Sequence, residues 1–251
     1  MTTHATPFPP APGRRADVLT RLLLIGGVVG PALFVLALLL EGATRPGYSA
    51  WRNFGSQLSL SDQGWEQIAN FIVCGVLCLG FAVAVPRALS PSKPRSKGVV
   101  TGSIALAVFG LSLIAAGIFV TGPALGYPPG ADVRTAQSWH ASVHGLAGIG
   151  AFGSLAVACF IFAVFFAGDA RWRGWSVYSI VVGMTLALSF FLSNITAVLD
   201  MNGVWPNAPT GLIQRVGIIV GWTWISFFAW RLLQGQSRQA PQQMNDGGAA
   251  S

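Results

Sequence analysis

The chain has 251 residues, of which 53% are hydrophobic and only 9% are charged, and its mean hydropathy is +0.60. Soluble domains carry about 25% charged residues, so this composition excludes an ordinary soluble domain and indicates an integral membrane protein. The net charge of +7 is spread between apolar segments instead of forming one basic patch, so no nucleic acid partner is predicted.

Six apolar segments are long enough to cross a bilayer as helices. The first, residues 22–40, has no charged residue and spans roughly 30 Å as a helix. The others are residues 68–85, 99–120, 141–167, 175–199 and 212–233. We therefore predict an all-α fold, an integral membrane bundle of six transmembrane helices within residues 19–233, embedded in the lipid bilayer. The polar or proline-rich segments 1–18 and 234–251 are predicted to be disordered tails.

Lysine and arginine are distributed unevenly between the two sides of this bundle. With the N-terminus in the cytoplasm, eleven of the fifteen basic residues lie on the inner side. The outer side has four, Arg45, Arg52, Arg134 and Arg215. This is the positive-inside pattern, so both termini are expected to be cytoplasmic, in a protein of the cell membrane. The first apolar segment is longer than a typical signal-peptide core, so cleavage is not expected.

Small residues mark helix faces that can approach one another closely. Gly26 and Gly30 form a G-x-x-x-G pattern in the first segment. Similar faces occur in the third and fourth segments, formed by Ser103, Ala107, Gly110 and Gly117 and by Gly145, Gly148 and Gly153. Packing within the bundle is the simpler interpretation, and homodimerisation through one of the glycine-rich faces is the alternative.

Polar residues from four segments are predicted to lie at one depth near the outer surface. Arg215 is costly there unless it faces a partner, for which Asp200 and Glu41 are the candidates, or reaches the surface. One interpretation is a structural ion pair between helices. The other is an outer-facing polar pocket that binds or carries a small anion or a lipid headgroup. The pocket candidates are His144, Arg215, Asp200, Gln214, Glu41 and Asn194.

His140 and His144 stand four residues apart, on one face of the predicted fourth helix. Two imidazoles at this spacing can bind one zinc ion, which makes them weak candidates for the metal site of an intramembrane hydrolase. The sequence H-A-S-V-H lacks the glutamate of a metalloprotease, and one helix cannot place two histidines on opposite faces of a haem. No cofactor is predicted and no catalytic residue is assigned. A structural or partner-binding protein, with His140 in the interfacial aromatic belt, is the remaining alternative.

Short motifs add a family resemblance. Three elements precede the second segment, namely Tyr48-Ser49, Ser56-Gln57-Leu58 and Gly64-Trp65. HGLAG at 144–148 and GLIQRV at 211–216 begin the fourth and sixth segments. Over residues 20–233 this arrangement resembles the prokaryotic membrane protein family called domain of unknown function 998. The resemblance implies a multi-pass membrane architecture and no particular reaction.

Two positions depart from the pattern of that family. The family often has an acidic residue in the middle of the Ser-x-Leu element, where this chain has Gln57. It often has another after the third helix, where this chain has Gly122. A mechanism that needs several outer carboxylates is therefore disfavoured here.

Overall fold

The computed structural model describes residues 12–89, 96–132 and 138–246. Six long helices follow one another in this part of the chain: α1 (Pro12–Thr44), α2 (Gly64–Leu89), α3 (Lys97–Ile118), α4 (Trp139–Ala167), α5 (Arg173–Met201) and α6 (Thr210–Asp246). Each contains a segment long and apolar enough to cross a membrane. The prediction of an all-α protein with six membrane-spanning helices is therefore confirmed.

The helices extend beyond several of the predicted boundaries. α1 begins at Pro12 and α6 continues to Asp246, so helical backbone enters both segments predicted as tails. The remaining tail residues, 1–11 and 247–251, lie outside the described residues, as do loop residues 90–95 and 133–137. Side-chain caps explain two of the starts, because Ser96 accepts a hydrogen bond from the Val99 N–H and Ser138 accepts one from the Ala141 N–H.

The six helices form a ring in which each one packs against its neighbours in sequence. α6 closes the ring by packing against α1, and direct contact across the centre is limited mainly to α2 and α6. The connections between α2 and α3 and between α4 and α5 lie at one end. The opposite end holds residues 45–63, 119–132 and 202–209, and we call it the loop end.

Small residues bring α2 and α3 into backbone contact. A Cβ atom built on Gly75 would lie 2.7 Å from the carbonyl oxygen of Gly110, and one on Gly110 would lie 2.8 Å from that of Gly75. Gly30 similarly faces Leu77 of α2. These faces are used for packing inside the bundle. Homodimerisation through the glycines of α4 stays a prediction.

Aromatic side chains fill the half of the ring that lies away from the loop end. Phe81, Phe162, Trp224 and Phe228 are fully buried there, and the ring centroids of Phe162 and Phe228 are 4.9 Å apart. Phe228 also packs edge-on against Phe81 at 5.7 Å. Edge-on and tilted aromatic pairs of this kind pack favourably, so this half of the bundle forms a dense core.

Gly110→Val is expected to destabilise the bundle, because its side chain would occupy the space of the Gly75 carbonyl group. Overpacking costs about 1–3 kcal/mol, so the purified variant should unfold in detergent at a lower temperature than the wild type. Gly153→Val is the matched control, since a Cβ atom on this helical glycine would meet no atom within 4 Å. Equal decreases of the unfolding temperature in the two variants would contradict the importance of the α2–α3 contact.

Candidate functional site

The connection between α1 and α2, residues 45–63, folds over the loop end of the ring, and we call it the cap. It contains a short 3-10 helix, Gly55–Ser59, that contacts α1, α2 and α6. The N–H of Phe54 donates to Gln57 Oε1 at 2.9 Å, which stabilises the start of this helix, and Leu58 is fully buried. The cap therefore packs onto the bundle as an ordered element.

Arg215 of α6 is buried, with only 4% of its surface exposed, and its guanidinium binds the cap. Its Nη1 donates to the carbonyl oxygens of Ala50, Asn53 and Gly211 at 2.9, 3.1 and 3.0 Å. Its Nη2 donates to the hydroxyl of Tyr48, which donates in turn to the Asn53 carbonyl at 3.2 Å. Burial raises the pKa of Tyr48, so this hydroxyl stays protonated. Carbonyl and hydroxyl dipoles thus stabilise the buried positive charge.

The prediction that Asp200 or Glu41 pairs with Arg215 is wrong. Asp200 instead accepts two hydrogen bonds from Arg52 of the cap, 2.7 Å from Nε and 2.8 Å from Nη2. These bonds raise the pKa of the Arg52 guanidinium. Glu41 pairs with Arg45 at 3.3 Å. Each of the two carboxylates is therefore engaged by an arginine of the first loop.

Three arginines thus join the cap to the helices. Arg45 links α1 to α2 by donating to Glu41 and to Glu66, and it also donates to the Leu58 carbonyl within the cap at 3.2 Å. Arg52 joins the cap to α5, and Arg215 joins it to α6. The fourth outer arginine of the sequence, Arg134, lies outside the described residues.

The cap is also joined to the loop that follows α3. Gln57 Nε2 donates to the carbonyl oxygen of Ala124, and Asn53 Nδ2 donates to that of Leu125 at 3.0 Å. A carboxylate at position 57 could not donate to a carbonyl, so the glutamine suits this contact where an acidic residue would not. The glutamine that stands where the family often has an acidic residue therefore helps to join the cap to the loop after α3.

A cavity lies beneath the cap, in the loop half of the ring. It contains about 460 Å³ of empty space, including its open part. Its walls are mainly apolar and include Phe34, Phe71, Phe152 and Trp222. The polar side chains that line it include Gln67, His144 and Gln214. None of the described lining residues is charged, and none belongs to α5.

The residues predicted to share one pocket are divided between two places. His144 and Gln214 line the cavity, whereas Arg215, Asp200 and Glu41 are engaged around the cap. Asn194 is exposed on α5, where its Nδ2 donates to the Phe190 carbonyl at 2.8 Å, and it does not line the cavity. Sequence reasoning missed Gln67, which lies just before the second apolar segment.

The two histidines have different surroundings. His144 Nδ1 lies 3.0 Å from the carbonyl oxygen of Ala116 and 2.8 Å from that of Phe119. His140 is exposed, and its ring centroid lies 3.8 Å from that of Trp139. In the described part of the chain, no group of three or more His, Cys, Asp or Glu residues is placed to hold a metal ion. The histidine pair therefore has no third ligand of these types there.

The six spanning helices, the anchored cap and the internal cavity define a multi-pass helical membrane protein. The family described as "Protein of unknown function (DUF998)" matches residues 28–231. This match covers most of the chain, so the chain belongs to that family, and the resemblance noted in its motifs is confirmed. No curated protein and no solved structure matches the chain.

Arg215→Lys is expected to destabilise the protein, because a single ammonium group cannot replace both Nη1, which serves the cap carbonyls, and Nη2, which serves the Tyr48 hydroxyl. An unpaired buried acceptor costs about 1–3 kcal/mol, so the thermal transition in detergent should move to lower temperature. Arg171→Lys is the control, since Arg171 pairs with Asp169 at the surface and its side chain is 81% exposed. Similar decreases of the transition temperature in both variants would contradict the role of Arg215 in anchoring the cap.

Proposed function

We propose that this protein binds a small amphipathic molecule in the cavity beneath its cap. The observation that carries the proposal is a cavity whose apolar walls are interrupted by a few polar side chains. Small-molecule sites typically have mainly apolar walls and a few placed polar groups. The cavity matches that description in the composition of its walls.

The charges around the cavity favour an uncharged ligand over the small anion or charged headgroup predicted from the sequence. Arg215, the predicted anion-binding residue, donates to cap carbonyls and to Tyr48. None of the described lining residues is lysine or arginine. Burying an anion without a nearby positive charge is costly. The contacts therefore support the binding of a ligand, but they do not support a negative charge on that ligand.

Binding also has more support than conduction. The loop half of the ring contains the cavity, whereas aromatic side chains including Phe81, Phe162 and Phe228 fill the other half. Carrier activity would require this aromatic layer to open. The positive-inside pattern favours an outer position for the loop end, and the proposed ligand would then be taken from the outer side.

The two remaining functions have less geometric support. A metal-assisted hydrolase needs a third ligand beside His140 and His144, and the described residues offer no such group of His, Cys, Asp or Glu. A purely structural role accounts for the arginine contacts of the cap. It does not account for a cavity lined by Gln67, whose buried Nε2 has no hydrogen-bond partner among the residues that the structure describes.

Gly148 of α4 offers a way to fill the cavity. It lines the cavity, and a Cβ atom built on it would meet no atom within 4 Å. Native mass spectrometry of detergent-purified wild type should therefore detect a bound small molecule that is absent from Gly148→Leu. Gly145→Leu is the matched control, because this glycine is equally open but is not among the lining residues, so its variant should keep the bound mass.

Two results would contradict the proposed function. One is a bound mass of unchanged occupancy in Gly148→Leu, which would locate the ligand elsewhere. The other is wild-type protein that carries no bound mass and acquires none when small amphipathic molecules are added. Folded yield of each variant is measured by size-exclusion chromatography, so that lost binding is not confused with misfolding.

A further inference from the structure

Gln67 of α2 is fully buried, and its neighbour Asn70 determines the orientation of its amide. Asn70 Nδ2 donates to the carbonyl oxygen of Phe34 at 3.2 Å and to Gln67 Oε1 at 3.1 Å. Because the Phe34 carbonyl only accepts, the atom of Asn70 that faces it is the amide nitrogen, and Gln67 must present its oxygen to that nitrogen. Gln67 Nε2 is left buried, as a donor without a partner among the described residues.

Besides Gln67, the polar residues that line the cavity are Ser56, His144 and Gln214, and backbone groups orient the last two. The N–H of Gly55 donates to Gln214 Oε1 at 2.8 Å, so Gln214 keeps its Nε2 as a second donor. The carbonyls of Ala116 and Phe119 only accept, so His144 carries its hydrogen on Nδ1. The described cavity walls contain no acidic residue to neutralise an imidazolium, and burial favours the neutral ring. His144 Nε2 is then an acceptor.

We infer that the ligand is an uncharged amphipathic molecule whose polar end is a hydroxyl group, as in a fatty alcohol. A hydroxyl donates one hydrogen bond and accepts two, which matches one acceptor on His144 and two donors on Gln67 and Gln214. A carboxylate has no donor, an ammonium has no acceptor, and both carry a charge that the walls do not balance. This inference rests on the proposed binding function.

The apolar walls complete the recognition of such a molecule. Phe34, Phe71, Phe152 and Trp222 surround the same space and suit a hydrocarbon body. Gln67 is the residue expected to discriminate most between ligands, because its buried amide nitrogen has no partner in the described part of the chain and gains one when a hydroxyl binds. A hydrocarbon without a hydroxyl would leave that nitrogen unpaired.

The test compares bromooctanol, with bromine and hydroxyl at opposite ends, with bromooctane. Bromine quenches tryptophan fluorescence on contact, and Trp222 lines the cavity, so quenching that is saturable and lost in Trp222→Phe reports occupancy. In full-length protein in detergent, the alcohol is expected to bind about fivefold more tightly than the alkane, the effect of about one net hydrogen bond.

Gln67→Leu removes the donor and is expected to abolish most of this preference while leaving the affinity for bromooctane nearly unchanged. Because both proteins are measured in the same detergent, unequal partitioning of the probes into micelles cancels in the comparison. Gln63→Leu is the control, since Gln63 is an exposed glutamine outside the cavity and its variant should keep the preference.

The outcomes separate this inference from the proposed function. Equal, Trp222-dependent binding of both probes by the wild type would overturn the hydroxyl assignment and leave the binding function standing. A preference that is unchanged in Gln67→Leu would also overturn it. Failure of both probes to give saturable quenching would overturn both proposals. If a variant does not fold, displacement of bromooctanol from wild-type protein by octanol but not by octane gives the same comparison.

Discussion

The burial of Arg215 is the constraint on which the loop end of this protein depends. A guanidinium can lie inside an apolar bundle only when acceptors surround it, and the carbonyls of Ala50 and Asn53 supply them only when the cap is folded onto α6. Gly211 belongs to the same arrangement, since a Cβ atom there would lie 2.2 Å from the Asn53 carbonyl oxygen. Cap folding and α6 docking are therefore coupled.

Adjacent residues of α6 connect this interface with the cavity. Successive helical residues point in directions about 100° apart, so Gln214 and Arg215 face different surroundings. Arg215 binds the cap from one side, whereas Gln214 accepts the Gly55 N–H and lines the cavity. Gly55 and Ser56 of the cap line the cavity, and Gln214 holds Gly55 in this position. Stability of the loop end and shape of the binding site depend on each other.

The fold could be predicted from the sequence because apolar length alone indicates a spanning helix. The depth of each residue along its helix could also be predicted, and this correctly grouped His144 and Gln214 near one end of the bundle. Depth does not determine which way a helix is rotated, so the partners of Arg215 and Asp200 were assigned wrongly and exposed Asn194 was included. The carbonyls that bind Arg215 have no side-chain signature, and Gln67 precedes the apolar segment that was used to locate α2.

The hydrogen bonds of His144 also determine how α3 and α4 are aligned along their axes. The last carbonyls of a helix lack partners within it. At the end of α3, the Phe119 N–H returns to Ala115, while the carbonyls of Ala116 and Phe119 receive the imidazole of the neighbouring helix. Sliding α4 by one turn would remove that donor from both oxygens. One side chain of α4 therefore binds the exposed carbonyls at the end of α3 and favours one axial alignment of the two helices.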